Sequence, residues 1–353
     1  MSDKRIFIKG NEAIAMGALA AGARCFFGYP ITPQNDIPEF LSKAMPDAGG
    51  EFVQAESEVA AANMLLGAAA CGIRAFTSSS SPGVSLKQEA ISYMAGSELP
   101  GVIVNINRGG PGLGDIGPAQ GDYFQAVKGG GHGDYRLLVL APGTCQEAYD
   151  LMIESFDLAF KYRNPVMILG DAILGQMKEP VEPWKPEGIN PEEGKDWALY
   201  GASDHSPRII KSLFLGEGEL AGQNQHLREK YEAMQVEARA ESYLTEDAEL
   251  VVCAYGSIGR IVKSAVRKLR ANGKKVGLFR PITLYPFPSN ELLELAKKGK
   301  RFLTTEHNLG QMVEDVRLAI RTVADSEFFG FMPGNLPTPD AFEEPILAAL
   351  ERK

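Results

Sequence analysis

Residues 74–106 read RAFTSSSSPGVSLKQEAISYMAGSELPGVIVNI. Residues 74–77 and 102–106 are runs of strand length, and residues 86–94 between them read as a helix. Strand, crossover helix and strand make the unit from which parallel sheets are built, and such sheets are covered on both faces. The alternation extends outward in both directions. Upstream, residues 6–8 read as a strand, and Asn11 caps an alanine-rich helix ending near Gly22. Cys25-Phe26-Phe27 is a buried strand, Phe52-Val53 a short one, and residues 57–70 a helix. Downstream, Thr144-x-x-Glu147 is a capping box opening a helix to about Tyr162, and residues 165–169 are another buried strand.

Beyond this region the composition changes. Residues 179–191 are rich in Pro, Glu and Lys and read as linker. Residues 227–244 are highly charged, with Leu227, Tyr231, Met234 and Ala238 spaced as one apolar stripe of an amphipathic helix. A second α/β unit opens at residues 250–252, continues through a helix over 261–269 that Gly273 stops, and adds a strand at 276–279. Residues 302–305 and a helix over 312–323 complete it. The expected fold class is α/β: a doubly wound parallel-sheet domain over residues 1–180, a linker with an amphipathic helix over 181–245, and a smaller α/β domain over 246–353.

The chain has 353 residues, 44 % apolar and 23 % charged, which excludes disordered, collagen-like and coiled-coil proteins. Lysine and arginine total 36 against 45 acids, a net charge of −9, so no nucleic-acid partner is expected. Four cysteines, Cys25, Cys71, Cys145 and Cys253, form no C-x-x-C pair, so metal and iron–sulfur spacing is absent and reduced cytoplasmic thiols are expected. Met1-Ser2-Asp3-Lys4-Arg5 is not a signal peptide, and the apolar stretch 13–23 stops at Arg24, short of the ~20 residues a bilayer requires. A soluble, cytoplasmic protein without a membrane partner is the expectation.

Several stretches invite a chemical reading. Gly112-x-Gly114-x-x-Gly117 has the letters of a dinucleotide fingerprint, but five residues separate it from the preceding strand, and Pro118 and Gly121 interrupt any helix there. A glycine loop carrying Arg108 on the substrate side fits better. Gly28-Tyr29-Pro30-Ile31-Thr32-Pro33 follows a strand at its carboxyl end, where open α/β sheets bind ligands; its two prolines fix the backbone about Thr32. Glu56-Ser57-Glu58 opens a helix, where acids complement the dipole or, facing a cleft, handle protons. The hydroxyl-rich residues 77–83 stand between strand and helix, in a place suited to an anionic or polar ligand or to a plain loop. Of the four histidines, His132 has the most ligand-like surroundings, in Gly131-His132-Gly133-Asp134.

Taken together and in order, these pieces resemble the α subunit of multi-subunit 2-oxoacid:ferredoxin oxidoreductases, in the 2-oxoisovalerate and 2-oxoglutarate branches. The likeness rests on residues 28–33 (GYPITP), 56–64 (ESEVAAANM), 77–83, 104–114 (VNINRGGPGLG), the glycine-flanked His132-Gly133-Asp134, and Arg280-Pro281. It covers nearly the whole chain and is weakest over 179–243. The resemblance implies a pyrimidine-binding thiamine-diphosphate domain followed by a transketolase C-terminal-like domain.

A partner β subunit is implied to hold the diphosphate and magnesium, with iron–sulfur clusters also on partners: a γ subunit, a ferredoxin-like subunit and ferredoxin itself. Coenzyme A is the implied co-substrate. By resemblance, Glu58 meets the aminopyrimidine ring, with Glu56 the fallback; Tyr29, Pro30 and Ile31 line the cofactor; Thr32 and Arg108 meet the 2-oxoacid carboxylate. The implied reaction is CoA-dependent oxidative decarboxylation of 3-methyl-2-oxobutanoate or, failing that, 2-oxoglutarate. Two other classes stay open: a non-catalytic scaffold subunit, and a nicotinamide-dependent dehydrogenase built on the 112–117 loop.

Overall fold

The computed structural model describes residues 5–186, 188, 190, 193–203 and 205–352. The first four residues, expected to run straight into a strand, lie outside the described residues. So do Glu187, Ile189, Pro191 and Glu192 of the expected linker.

In chain order the first half holds β1 (Ile6–Lys9), α1 (Gly10–Ala20), β2 (Cys25–Gly28), α2 (Asp36–Asp47), β3 (Glu51–Gln54), α3 (Glu58–Ala70), β4 (Ala75–Ser79) and α4 (Ser81–Gly96). It continues with β5 (Val102–Asn107), α5 (Tyr123–Val127), β6 (Leu138–Leu140), α6 (Cys145–Tyr162), β7 (Val166–Asp171), α7 (Ala172–Gln176) and β8 (Lys178–Val181). After the connecting segment come α8 (Glu219–Ala233), a 3-10 turn (Met234–Glu237), β9 (Ala240–Tyr243), β10 (Leu250–Cys253), α9 (Gly256–Ala271), β11 (Val276–Pro281) and β12 (Thr283–Tyr285). The chain closes with α10 (Ser289–Lys297), β13 (Arg301–Glu306), α11 (Met312–Ile320), β14 (Ser326–Gly330) and α12 (Asp340–Glu351).

The larger sheet has seven strands in the order β12-β6-β7-β5-β4-β2-β3, parallel except for β12 at its edge. Every residue of β4, β5 and β7 is buried; β5 and β7 carry the mostly apolar runs of strands covered on both faces, while β4 buries the hydroxyls of Thr77, Ser78 and Ser79. The crossovers β2-α2-β3 and β3-α3-β4 leave in opposite directions. Right-handed connections therefore put α2 on one face and α3, with α4, on the other.

α1 lies against α6 because its small residues let the backbones close up: a Cβ on Gly17 would stand 2.6 Å from the Tyr149 carbonyl oxygen. The smaller sheet runs β14-β13-β10-β11-β9, with β9 alone antiparallel. Its helix α9 buries Ile258, Val262, Ala265, Val266 and Leu269 on one stripe.

Four readings need correcting. β1 joins no parallel sheet; it forms an antiparallel ribbon with β8. Asn11 is inside α1 rather than capping it, and its amide donates to the Pro33 carbonyl (2.9 Å) and Asp36 (2.9 Å), tying α1 to the turn after β2. Thr144 caps α6, but the Glu147 carboxylate reaches past the cap to the amide of Gly143 (2.7 Å) and to Arg280. The helix expected over 227–244 begins at Glu219 and stops at Ala233, and the chain is strand again by Ala240. Leu227, Tyr231 and Met234 are nonetheless buried as the stripe demands.

The two halves interlock. The chain passes from β11 directly into β12, which crosses to the larger sheet and pairs with β6. Arg280, on β11, spans Glu147 of α6 and Glu241 of β9. Gln120, Tyr255, His307 and Asn308 share one buried hydrogen-bonded seam, and Tyr123 donates to Asp315 (2.7 Å).

Candidate functional site

Between the parallel strands β2 and β4 the winding of the sheet reverses, β2 leading on to β3 at one side and β4 to β5 at the other, and open α/β sheets bind ligands outside the strand ends at such a place. The two strands pair only at Cys25–Ala75 and Phe26–Phe76. Beyond that the Thr77 hydroxyl replaces a ladder bond, donating to the Phe27 carbonyl at 2.6 Å. Segments leaving the carboxyl ends of β2, β3, β4 and β5 converge around this opening.

From β2 comes the turn Tyr29-Pro30-Ile31-Thr32, with Tyr29, Pro30 and Thr32 exposed and Ile31 half-buried. Gln34 below it is fully buried and accepts the Ser78 hydroxyl at 2.5 Å, which locks the turn to β4. From β3 comes α3. Ser57 caps it by accepting the Ala60 amide at 3.1 Å, so Glu58 stands at the first helical position and is only 8 % exposed. Glu56 is exposed. The helix phase thus turns Glu58, not Glu56, inward.

From β4 come Ser79, Ser80 and the start of α4. Gly83 is required for close packing here. A Cβ on it would lie 2.2 Å from Ser79 Oγ and 2.9 Å from both Cγ and Oε1 of Glu58. The Lys87 ammonium, fully buried on α4, donates to Thr77 Oγ1 (3.0 Å) and to the Glu58 carbonyl (3.3 Å). Burial pulls Lys87 down to about 8, with the Glu58 charge working the other way.

From β5 comes Arg108, whose NH1 donates to the Thr32 carbonyl (3.0 Å) and NH2 to the Leu113 carbonyl (3.1 Å). Thr32 and Arg108 are therefore brought together through the turn's backbone, and the arginine is a strut between two loops. Residues 109–117 form a closed loop, with the Gly109 amide on the Gly117 carbonyl (3.0 Å) and the Asp115 amide on the Gly109 carbonyl (2.8 Å). Gly114, at φ +63°, admits no side chain, because a Cβ would sit 1.8 Å from the Gly109 carbonyl oxygen. No helix opens at these glycines, the next being the short α5 from Tyr123, so the geometry of a dinucleotide fingerprint is lacking. Behind the loop, Asp122 accepts from Ser81 (2.6 Å) and Asn105 (2.8 Å), and burial raises its carboxyl against those bonds.

The site holds several buried polar atoms without a protein partner: Ser79 Oγ, Ser80 Oγ, Asn107 Nδ2 and Arg108 Nε. Buried polar groups are normally satisfied, so this cluster at the strand ends fits a polar ligand. Arg280 and His132 lie elsewhere. Arg280 is committed to Glu147 and Glu241, and His132 is exposed with its carbonyl accepting the Ser92 hydroxyl at 2.6 Å.

Sequence reasoning passed over Lys87, Asp122 and Gln34. For Lys87 a signal existed: Val84, Lys87, Ile91 and Met94 share the buried spacing of α4, a phase in which a lysine is out of place.

Residues 16–245 match the family described as pyruvate flavodoxin/ferredoxin oxidoreductase, thiamine diphosphate-binding. Residues 248–342 match core domain II of pyruvate:ferredoxin oxidoreductase. The ketoisovalerate oxidoreductase subunit VorB of Methanothermobacter thermautotrophicus is 52 % identical, across 93 % of this chain and 93 % of that protein. The 2-oxoglutarate synthase subunit KorA of the same organism is 35 % identical, across 97 % and 98 %. Among solved structures, the 2-oxoglutarate:ferredoxin oxidoreductase of Magnetococcus marinus, with 2-oxoglutarate, coenzyme A and succinyl-CoA bound, superposes at a TM-score of 0.87 and 25 % identity. That match covers 98 % of this chain, which spans 65 % of the length of the solved one. A split-gene transketolase, at a TM-score of 0.59 and 15 % identity, shares the fold.

Proposed function

The chain belongs to the thiamine-diphosphate-binding pyruvate flavodoxin/ferredoxin oxidoreductase family as an α-type subunit of a 2-oxoacid:ferredoxin oxidoreductase, and we propose that the opening at the ends of β2–β5 is its half of the active site. The observation that carries this is the inward Glu58 carboxyl, pressed against Gly83 and flanked by orphaned polar atoms on Ser79, Ser80, Asn107 and Arg108. The reaction is 2-oxoacid plus coenzyme A plus two oxidised ferredoxins, giving acyl-CoA, carbon dioxide, two reduced ferredoxins and a proton.

The donor set fits an aminopyrimidine. When bound, thiamine diphosphate supplies a carbon nucleophile for the 2-oxo carbon and holds the electrons left as carbon dioxide departs. Glu58 exchanges a proton with the ring nitrogen through its carboxyl oxygens. Tyr29, Pro30 and Ile31 wall the ring from water. The Thr32 hydroxyl and the Arg108 edge at Nε hold the substrate carboxylate, a charge-assisted contact suited to guanidinium. Among the described residues no cluster of three or more His, Cys, Asp or Glu could hold a metal ion. In the same proposal the diphosphate, its magnesium and the iron–sulfur clusters belong to partners: a β subunit, a γ subunit, a ferredoxin-like subunit and ferredoxin.

The substrate is 3-methyl-2-oxobutanoate, supported by 52 % identity to a ketoisovalerate enzyme's subunit against 35 % to a 2-oxoglutarate enzyme's. Among the described residues no helix is long and apolar enough to cross a membrane; a cytoplasmic complex is part of the proposal. The test is viologen reduction without oxygen by the complex this chain co-purifies with, over a panel of 2-oxoacids with and without coenzyme A. CoA-dependent reduction by the branched oxoacid is expected. A preference for 2-oxoglutarate overturns the substrate, and inactivity with every oxoacid overturns the reading.

A further inference from the structure

Among the described residues Lys87 is a buried cation without an ion-pair partner. No carboxylate oxygen comes within 4.0 Å of it among the described residues, and its bonds are to Thr77 Oγ1 and the Glu58 carbonyl. Burying an ammonium is unfavourable, and a Leu or Met on this stripe of α4 would fill similar space without charge. Its position explains why a charge stands there. The ammonium sits where β2 and β4 part, on the hydroxyl that bridges them, and against the first turn of α3. The groups it bonds are Thr77 Oγ1 of β4, which itself donates to the Phe27 carbonyl of β2, and the Glu58 carbonyl of α3. Glu58 is the charge that acts on it.

We propose that Lys87 is a positioning residue for Glu58. Bonded to Thr77 and to the Glu58 carbonyl, it fixes the first turn of α3 and with it the direction in which the Glu58 carboxyl faces the ligand, and it keeps a positive charge near that carboxyl. This rests on the role proposed above for Glu58. A cation near a carboxyl favours the charged form, so losing the cation is expected to move the acidic limb of turnover to higher pH.

The experiment uses the co-purified complex carrying Lys87→Met, Glu58→Gln or both. The readouts are turnover, the Michaelis constant for the 2-oxoacid, and thiamine diphosphate affinity by titration calorimetry, each from about pH 5.5 to about pH 8.5. Lys87→Met is expected to lower kcat about 10-fold with KM unchanged, and to move the acidic limb of kcat up by about one pH unit. The pH at which cofactor affinity weakens moves with it. In the Glu58→Gln background Lys87→Met adds nothing further, because the two act as one unit. Lys87→Arg, which keeps the charge, restores the limb.

An unmoved limb, or an undiminished loss in the double variant, overturns the proposal while leaving Glu58 in its role. Near-normal turnover of Glu58→Gln alone instead overturns the reading of Glu58, and the inference falls with it. Should Lys87→Met fail to assemble, Thr77→Val removes the hydroxyl under the ammonium and is expected to move the limb the same way by less. An unmoved limb there overturns the proposal equally.

Discussion

Exchanging Glu58 for Gln keeps the size of the side chain and removes its capacity to carry a proton. Turnover in the complex is expected to fall about 10²- to 10⁴-fold, the range for a proton-transfer group. In the proposed site Arg108 would have a double duty, since its Nη1 and Nη2 already hold the Thr32 and Leu113 carbonyls. Arg108→Lys, able to keep one such bond, should raise KM for the 2-oxoacid roughly 10- to 100-fold, as the loss of a charged hydrogen bond implies. A fall in kcat at unchanged KM would leave Arg108 only its loop-holding role.

Lys87 gives a stability signature of its own. Its native pKa is depressed to about 8 from 10.5, so between those values the unfolded chain binds more protons and stability rises with pH. The penalty is full below pH 8, roughly 3 kcal/mol at most for a depression of that size, and is gone above 10.5. Lys87→Met should therefore match or exceed the wild type in urea titrations at neutral pH and lose that advantage as pH rises. A deficit at neutral pH would show that the bond to Thr77 outweighs the buried charge. Spacing alone leaves Glu58 one of many first-turn acids, like Glu12, Glu147 and Glu219, and only the family resemblance singled it out. Lys87 was not legible, because a lysine is read as surface unless the phase of its helix is checked against its neighbours.

At the scale of elements, the start of α4 is pressed onto that of α3 through Gly83. Gly83→Ala puts a methyl group within 2.2 Å of Ser79 Oγ, so α4 or Glu58 must move. Destabilisation of about 1–3 kcal/mol in thermal melts and a fall in turnover are expected together. Normal turnover would show that the Glu58 carboxyl has freedom to shift. β7 declared itself by its apolar run, β5 by one broken at Asn105, and α6 by its Thr144 cap. The shorter pieces did not. β9 was hidden inside a stripe whose helical spacing holds to Met234, and β12 is three residues long, placed by the neighbour it reaches rather than by its own composition. Asn11 looked like a cap because caps and long-range amide bridges use the same side chain, and only tertiary placement separates them.

Over the whole molecule, the join between the sheets runs through Arg280, which bonds Glu147 at 2.5 and 2.9 Å and Glu241 at 2.8 Å. Arg280→Met leaves two half-buried carboxylates facing a gap. Breaking such a set from one side costs about 3–5 kcal/mol, so the melting temperature should drop by several degrees, with less loss at low pH where the acids are neutral. A pH-independent change would locate the stability elsewhere in the seam.

The crossing of β12 bears on how this chain could be divided. The two family matches meet between residues 245 and 248, which invites a cut there. A fragment ending at that point carries β6 with nothing on its outer side, an open edge that recruits other chains. Expressed alone, the amino-terminal piece should gather into aggregates. Expressed beside the remainder, it should be rescued, because the missing strand is supplied from the other fragment in trans.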